Sequence, residues 1–193
     1  DENFYEIKEK LLGNAHQSLV DTTSLIKEEE VNASIQQIEE ADVIYVYGVG
    51  SSHLVAENFA QKWRRIGKIA IVEKDAHVMI TLITGNQQKA LFVGISNSGE
   101  TKEVIKLMQL ANKAGCQTMA ITQFGMNSLS EEADVTIRHV RANEQLYRSA
   151  ATASLHVQFY VVDILFHTYA SKHYEDAIDR ILLSRKAIKD YND

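Results

Sequence analysis

Proline is missing from all 193 residues, where average usage of about 5% would supply roughly ten. Long rigid linkers are therefore excluded. Cysteine occurs once, as Cys116, so no intrachain disulfide can form and a cytosolic setting is favoured. That residue reads as a small buried hydrophobe beside a strand. Basic residues are outnumbered, 20 Lys and Arg against 26 Asp and Glu, for a formal charge of -6. The electrostatic footprint of direct nucleic-acid binding is absent, and a DNA role requires a segment beyond these residues. There is no long unbroken apolar run either. The most apolar stretch, Ala150 to Ala170, is interrupted by His156, Gln158, Asp163 and His167, which argues against a membrane span, and no signal peptide opens the chain. A cytoplasmic location is expected. The first residue is Asp1, and an amphipathic pattern of Phe4, Ile7, Leu11, Ala15 and Leu19 begins at once, as in a fragment or a processed form.

What is present fits one core. Hydrophobic residues make up 45% and charged residues 24%, the profile of an ordinary globular chain rather than a disordered one. Two helical patterns come first, over Asn3 to Ile26 and Glu29 to Glu40, the second with Val31, Ile35 and Ile38 on one face. From Asp42 the pattern changes to five short β-branched runs, "VIYVY", "KIAIV", "ALFVGI", "QTMAIT" and "DVTIRHV", separated by helical stretches. Runs apolar on both faces and alternating with helices predict a parallel sheet covered on each side, an α/β sandwich of three layers, because only crossover connections join parallel neighbours. Gly67 and Gly115 precede the second and fourth runs, where left-handed helix caps belong. Gln145 to Ser171 predicts a long buried helix, and Tyr174 to Lys189 a final amphipathic one with Ile178, Ile181, Leu182 and Ile188. The expected division is a leader helix over 1–28 and the sheet-bearing unit over 29–193.

Two strand-to-helix turns are chemically unusual. One is "YGVGSSH", with Gly48, Gly50, Ser51, Ser52 and His53; the other is "ISNSGET", with Ser96, Asn97, Ser98, Gly99 and Thr101. In an open parallel sheet ligands bind beyond the carboxyl ends of the strands. Each turn offers hydroxyls and free backbone N–H groups at a helix start, where the macrodipole favours an anion by about 0.3 to 1 kcal/mol. Glycine permits close backbone approach and positive φ. A phosphate monoester fits, held by neutral donors, since neither turn carries Lys or Arg. An N-cap needs only one such hydroxyl per helix. No G-x-x-x-x-G-K-[ST] run is present, which disfavours nucleoside triphosphate hydrolysis. A dinucleotide site competes weakly: "GVGSSH" begins as G-x-G and Glu73 stands where a ribose-binding carboxylate would sit, but His53 replaces the third glycine.

At these residues the sequence resembles the sugar isomerase (SIS) domain, over roughly Glu29 to Ala170. "GVGSS" is similar to that family's first loop, and "SNSGET" to its more specific S-x-S-G-x-T loop. The resemblance implies a flavodoxin-like five-stranded parallel sheet and places a sugar phosphate at Gly50, Ser51, Ser52, His53, Ser96, Asn97, Ser98, Gly99 and Thr101. A narrower likeness is to the C-terminal effector domain of RpiR-type bacterial transcription regulators, carried by "LIKEEEVNASIQQIEEADVIYVYGVG" and "YRSAATASLHVQFYVVDILF". It implies an upstream helix-turn-helix domain that would bind DNA.

An isomerase needs a general base near C1 and C2 of its sugar. His53, His77, Glu57, Glu100 and Glu144 are candidates, and no local motif singles one out. Glu100 is better placed to favour a helix N-terminus. His77, and the i,i+4 pair Glu144 and Arg148, are candidate sugar contacts; a structural ion pair is the alternative for the latter. His156, Asp163 and His167 share one helix face, as zinc ligands would, or as polar groups bonded across an interface. The reading that results is a sugar-phosphate sensor without catalytic residues, metal or cofactor. It is expected to be a homodimer or higher homo-oligomer through its leading and last helices, and to reach DNA only through the upstream domain. A stand-alone phosphosugar isomerase or lyase is the alternative.

Overall fold

The computed structural model describes residues 2–86, 88–141 and 152–192. Two helices lead, α1 (Phe4–Leu25) and α2 (Glu28–Glu40). Asn3 caps α1 in a reciprocal capping box, its side chain accepting from Glu6 N–H at 3.0 Å while Asn3 N–H donates to the Glu6 carboxylate at 2.9 Å. The α2 face that carries Val31, Ile35 and Ile38 is buried as its spacing predicts.

Five strands follow: β1 (Val43–Gly48), β2 (Ile69–Val72), β3 (Ala90–Ile95), β4 (Gln117–Gln123) and β5 (Val135–His139). All pairings are parallel and the order is β2-β1-β3-β4-β5. Connecting and trailing helices are α3 (Ser51–Arg65), α4 (Ala76–Gly85), α5 (Lys102–Lys113), α6 (Ser128–Glu132), α7 (Ala153–Lys172) and α8 (Tyr174–Asn192). Every residue of β1 and β3 is buried, because these two strands have neighbours on both sides and helices on both faces. Side chains alternate across the sheet. Ile44, Val46, Leu91, Val93 and Ile95 join one core layer with α2, α3 and α7. Tyr45, Tyr47 and Phe92 join the other with α4, α5 and Leu129 of α6. The predicted three-layer α/β/α sandwich is what the chain forms. Gly67 and Gly115 take φ of 83° and 80°, the left-handed caps expected of them.

Three expectations are modified. The five-residue α6 had no periodicity to announce it; a capping box between Asn127 and Ser130 makes it. The long buried helix is described from Ala153, its expected start at Gln145 falling outside the described residues. It buries one face only, through Val157, Gln158, Val161, Val162, Leu165 and Tyr169, while His156 and His167 are exposed. Cys116 is half-buried before β4, packed against the α4–α5 layer, and burial pushes its thiol pKa up. Among the described residues no helix is long and apolar enough to cross a membrane.

The base of the α3–α7 contact is aromatic: Trp63 packs on Phe59, Phe166 and Tyr169, with ring centroids 5.5, 5.7 and 5.0 Å away, and Lys62 pairs with Asp163 at 2.6 Å. At the far edge of the sheet, the chain leaving β5 is tied to α1, Val140 N–H donating to Thr22 Oγ1 at 3.1 Å.

His139, at the end of β5, is fully buried. Its Nδ1–H donates to the Val140 carbonyl at 2.8 Å, which leaves Nε2 unprotonated and without a partner. Burial lowers its pKa from 6.5 to about 4. Between those values the unfolded chain binds a proton that the folded chain does not, so stability falls as pH drops through the window. The loss between about pH 7 and about pH 5 is expected to be about 2 kcal/mol. In His139→Phe this dependence should flatten, in urea unfolding followed through the single tryptophan. Equal pH dependence of the two proteins rules it out.

Candidate functional site

The strand order turns outward in opposite directions from β1 and β3. In an open α/β sheet this leaves a crevice at their carboxyl ends. Gly48 pairs with Ile95, so both strands end at one level and their exit loops start side by side. These are the two Ser-rich turns of the sequence.

In the first loop, a Cβ on Gly48 would stand 2.6 Å from the Ser52 carbonyl oxygen, and Gly50, the residue before α3, takes φ 60°. Both positions require glycine for α3 to start this close to β1. Gly50 supplies no side-chain cap. Ser51 is half-buried and Ser52 buried, the Ser52 hydroxyl donating to Gln158 Oε1 of α7 at 3.5 Å. His53 is buried, with Nε2 3.3 Å from Glu57 Oε1, yet neither ring nitrogen has a hydrogen-bonding partner.

The second loop is internally bonded. Ser96, buried, shares a hydrogen bond with Thr101 through their hydroxyls at 2.8 Å and accepts from Gly99 N–H at 3.1 Å. The exposed Ser98 accepts from Glu100 N–H at 3.1 Å. The Asn97 carbonyl accepts from Gln123 N–H at 3.1 Å, while its side-chain oxygen is buried without a partner. Gly99 has φ 70° and lies against the Asn127 side chain, where no Cβ fits. Thr101 precedes α5 without capping it, and the first helical bond is Ile105 N–H to Thr101 C=O. The N–H groups ahead of that bond have no helical partner.

Two helix starts without side-chain caps thus meet at the sheet's switch point, edged by hydroxyls. Their electropositive ends and directional donors are suited to an anion such as a phosphate monoester. A cleft of about 350 Å³ opens beside them, lined in part by Tyr47, Gly50, His53, Lys74 and Glu103. Tyr47 donates to the Lys74 carbonyl at 3.4 Å. Its pKa is raised by burial first and then by the charges of Glu103 and Asp75.

The other candidates are placed differently. His77 is exposed on the first turn of α4, its N–H donating to Asp75 at 2.7 Å, and does not line the cleft. Glu144 and Arg148 lie outside the described residues. Glu57 has a 51% exposed side chain. His156 and His167 are exposed and Asp163 pairs with Lys62; among the described residues no group of three such side chains is placed to hold a metal ion. Glu100 accepts from Ser128 N–H at 2.9 Å and from its hydroxyl at 2.7 Å. It caps α6, and the two Ser128 bonds hold its carboxyl below the usual range. A base kept ionised by spent lone pairs is a poor proton acceptor. Sequence reasoning missed Lys74, Tyr47, Glu103 and Gln158. For Lys74 a signal existed, its place directly after the second strand; Gln158, so far along the chain from Ser52, gave none.

A family model described as "SIS domain" matches residues 37–168. Among curated proteins, an uncharacterised HTH-type transcriptional regulator of Bacillus subtilis (strain 168), YbbH, is 37% identical over 183 residues, 95% of this chain and 65% of the relative. This chain therefore spans about two thirds of that protein's length. Among solved structures, the NanR protein of Vibrio vulnificus, complexed with ManNAc-6P, superposes with a TM-score of 0.88 at 27% identity, over 96% of this chain and 69% of that one. The sugar isomerase domain of an RpiR transcription factor from Sphaerobacter thermophilus superposes with a TM-score of 0.82 at 20% identity, over 93% and 98%, a likeness of fold.

Glu100→Gln tests the capping role. A carboxyl whose folded pKa lies below its ordinary 4.5 contributes stability that is present above that value and lost as pH falls through the folded one. The variant is expected to be less stable than wild type near neutral pH, the gap closing in acid. A gap of constant size across the titration would show that the charge is not what Ser128 needs.

Proposed function

The chain belongs to the SIS domain family, and from that membership we propose that it is the sugar-phosphate-sensing part of an HTH-type transcriptional regulator. One observation carries the reading: two helix starts without side-chain caps, fringed by Ser51, Ser52, Ser96, Ser98 and Thr101, converge where β1 and β3 end. NanR, bound to ManNAc-6P and similar over almost the whole chain, supports a sugar phosphate as the anion. Gly50, His53, Asn97 and Gly99 complete the phosphate-facing set. Lys74, in the loop after β2, contributes a cation. Glu144 and Arg148 are assigned to the sugar, whereas His77, exposed on α4 outside the cleft, has no contact with the site to support that role.

In this reading residues 1–28 are a leader, residues 29–193 form the binding unit, and an upstream helix-turn-helix domain contacts DNA in the cytoplasm. The name of YbbH and its greater length support that arrangement. The protein is a homodimer, for which the exposed apolar residues of α1 and α8, among them Phe4, Leu12, Leu182 and Leu183, supply the surface. It senses rather than converts. Effector control requires only that the sugar phosphate bind one arrangement of the dimer better than another.

A thermal-shift screen against hexose, pentose and N-acetylhexosamine phosphates is expected to raise Tm with at least one of them. At roughly 1.5 kcal/mol for each hydrogen bond to a charged group, the pair Ser96→Ala and Ser98→Ala together should weaken that compound about 100-fold. A double variant that responds like wild type disproves the site, and turnover of any screened compound by the purified chain disproves the sensor-only role.

A further inference from the structure

Buried side-chain atoms without partners are few in a folded protein and each asks for a reason. Gln158 is one of these. It is 1% exposed, on the face of α7 turned to α3; its Oε1 accepts the Ser52 hydroxyl at a long 3.5 Å and its Nε2 has no partner. The neighbouring contacts between α3 and α7 are the Phe59–Trp63–Phe166–Tyr169 aromatic group and the Lys62–Asp163 ion pair. These fix the two helices firmly at the end away from the loops. Nearer the loops a weak polar bond joins the same two helices, and it falls on a serine of the proposed site.

A hydroxyl carries one proton and can accept at its lone pairs. While Ser52 donates to Gln158, its proton is not available to an anion. The amide of Gln158 has the opposite capacity at its other end, an unused donor. Rotation about its last side-chain torsion exchanges Oε1 for Nε2 at almost no cost in shape. The amide would then donate to Ser52, and the hydroxyl proton would be free to point into the loop.

We propose that Gln158 is a positioning residue for the phosphate site, whose amide turns its Nε2 toward Ser52 when a phosphate monoester binds and so commits the Ser52 hydroxyl proton to the ligand. The inference rests on the reading of the two loops as a phosphate site. No covalent step is involved. The rotation gives Nε2 a partner and takes one from Oε1, so what changes is the direction of the Gln158–Ser52 hydrogen bond and not the number of bonds the amide makes.

The probe is inorganic phosphate, with ManNAc-6P as a second, both followed by NMR on ¹⁵N-labelled protein. In wild type, phosphate should shift the side-chain amide signals of Gln158, identified by their loss in Gln158→Leu. In Ser52→Ala those signals should stay in place. Gln158→Leu is expected to weaken phosphate about 10-fold, on the scale of one hydrogen bond to a charged group. Gln158→Glu, which can only accept when ionised and adds a like charge, should weaken it more. In Ser52→Ala, adding Gln158→Leu should cost nothing further. Gln158 amide signals that ignore phosphate while loop signals move, or a Gln158→Leu protein that folds and binds as wild type does, overturn this inference and leave the phosphate site standing. A wild type in which neither probe moves any loop signal overturns the site and the inference together. The wild-type spectrum decides the matter even if a substitution prevents folding.

Discussion

The functional edge of this protein depends on β1 and β3 being neighbours that hand the chain to opposite faces. Gly48 pairs with Ile95, and from there α3 packs with α2 and α7 on one side while α5 packs with α4 and α6 on the other. Two helices that diverge from adjacent strands bring their N-termini together and nothing else. The crevice and the electropositive helix ends both follow from that divergence. Gly48 makes it possible in the most literal sense, since any Cβ there would strike the first turn of α3.

The two loops meet this constraint in different ways. Around Ser96 the chain is closed on itself: hydroxyl to hydroxyl, Gly99 N–H to Ser96, Leu129 N–H to the Gly99 carbonyl, and the Glu100 carboxylate to Ser128. That loop is held by its own hydrogen bonds, so donors placed there would require little reorganisation to bind a ligand. Around Ser52 the polar groups are buried but underused, with both nitrogens of His53 and the Gln158 amide nitrogen unpartnered. The low dielectric that strengthens a satisfied network makes these unpaired groups costly. A preformed wall faces an unsatisfied one, and a ligand that joins them has more to gain on the second side.

Legibility in the sequence followed the range of the interactions. The central strands were visible because burial on both faces writes an unbroken apolar run, and the loops because glycine and serine were needed within a few residues of one another. Gly67 and Gly115 act on adjacent backbone, so their roles could be read locally. Lys74, Glu103 and Gln158 reach the site from three different elements, and no spacing in the chain encodes that meeting. α6 was invisible because a single turn cannot establish a period. The extent of burial of α7 was overread for a related reason. Leu155, Phe159 and Ile164 lie beside the core rather than within it, so the apolar residues spread around the helix while one side still meets solvent.

The proposed binding of an anion by hydroxyls and helix ends, in a chain of net charge -6, would have consequences for selectivity. A cluster of lysines would attract any anion, with an affinity set by charge and screened by salt. Neutral donors act only along their bonds, so they favour an oxyanion whose several oxygens match their directions and lose little at physiological ionic strength. Among the described residues lining the cleft, Lys74 is the only cation and is opposed there by the Glu103 carboxylate, which brings these charges near balance. An inorganic anion of the same charge but different shape gains little from such a site, while a phosphate monoester gains three acceptor oxygens. Discrimination then passes to the groups beyond the phosphate. In that reading His53, buried against the cleft beside Glu57, is placed to meet a sugar hydroxyl, because an imidazole nitrogen can donate or accept.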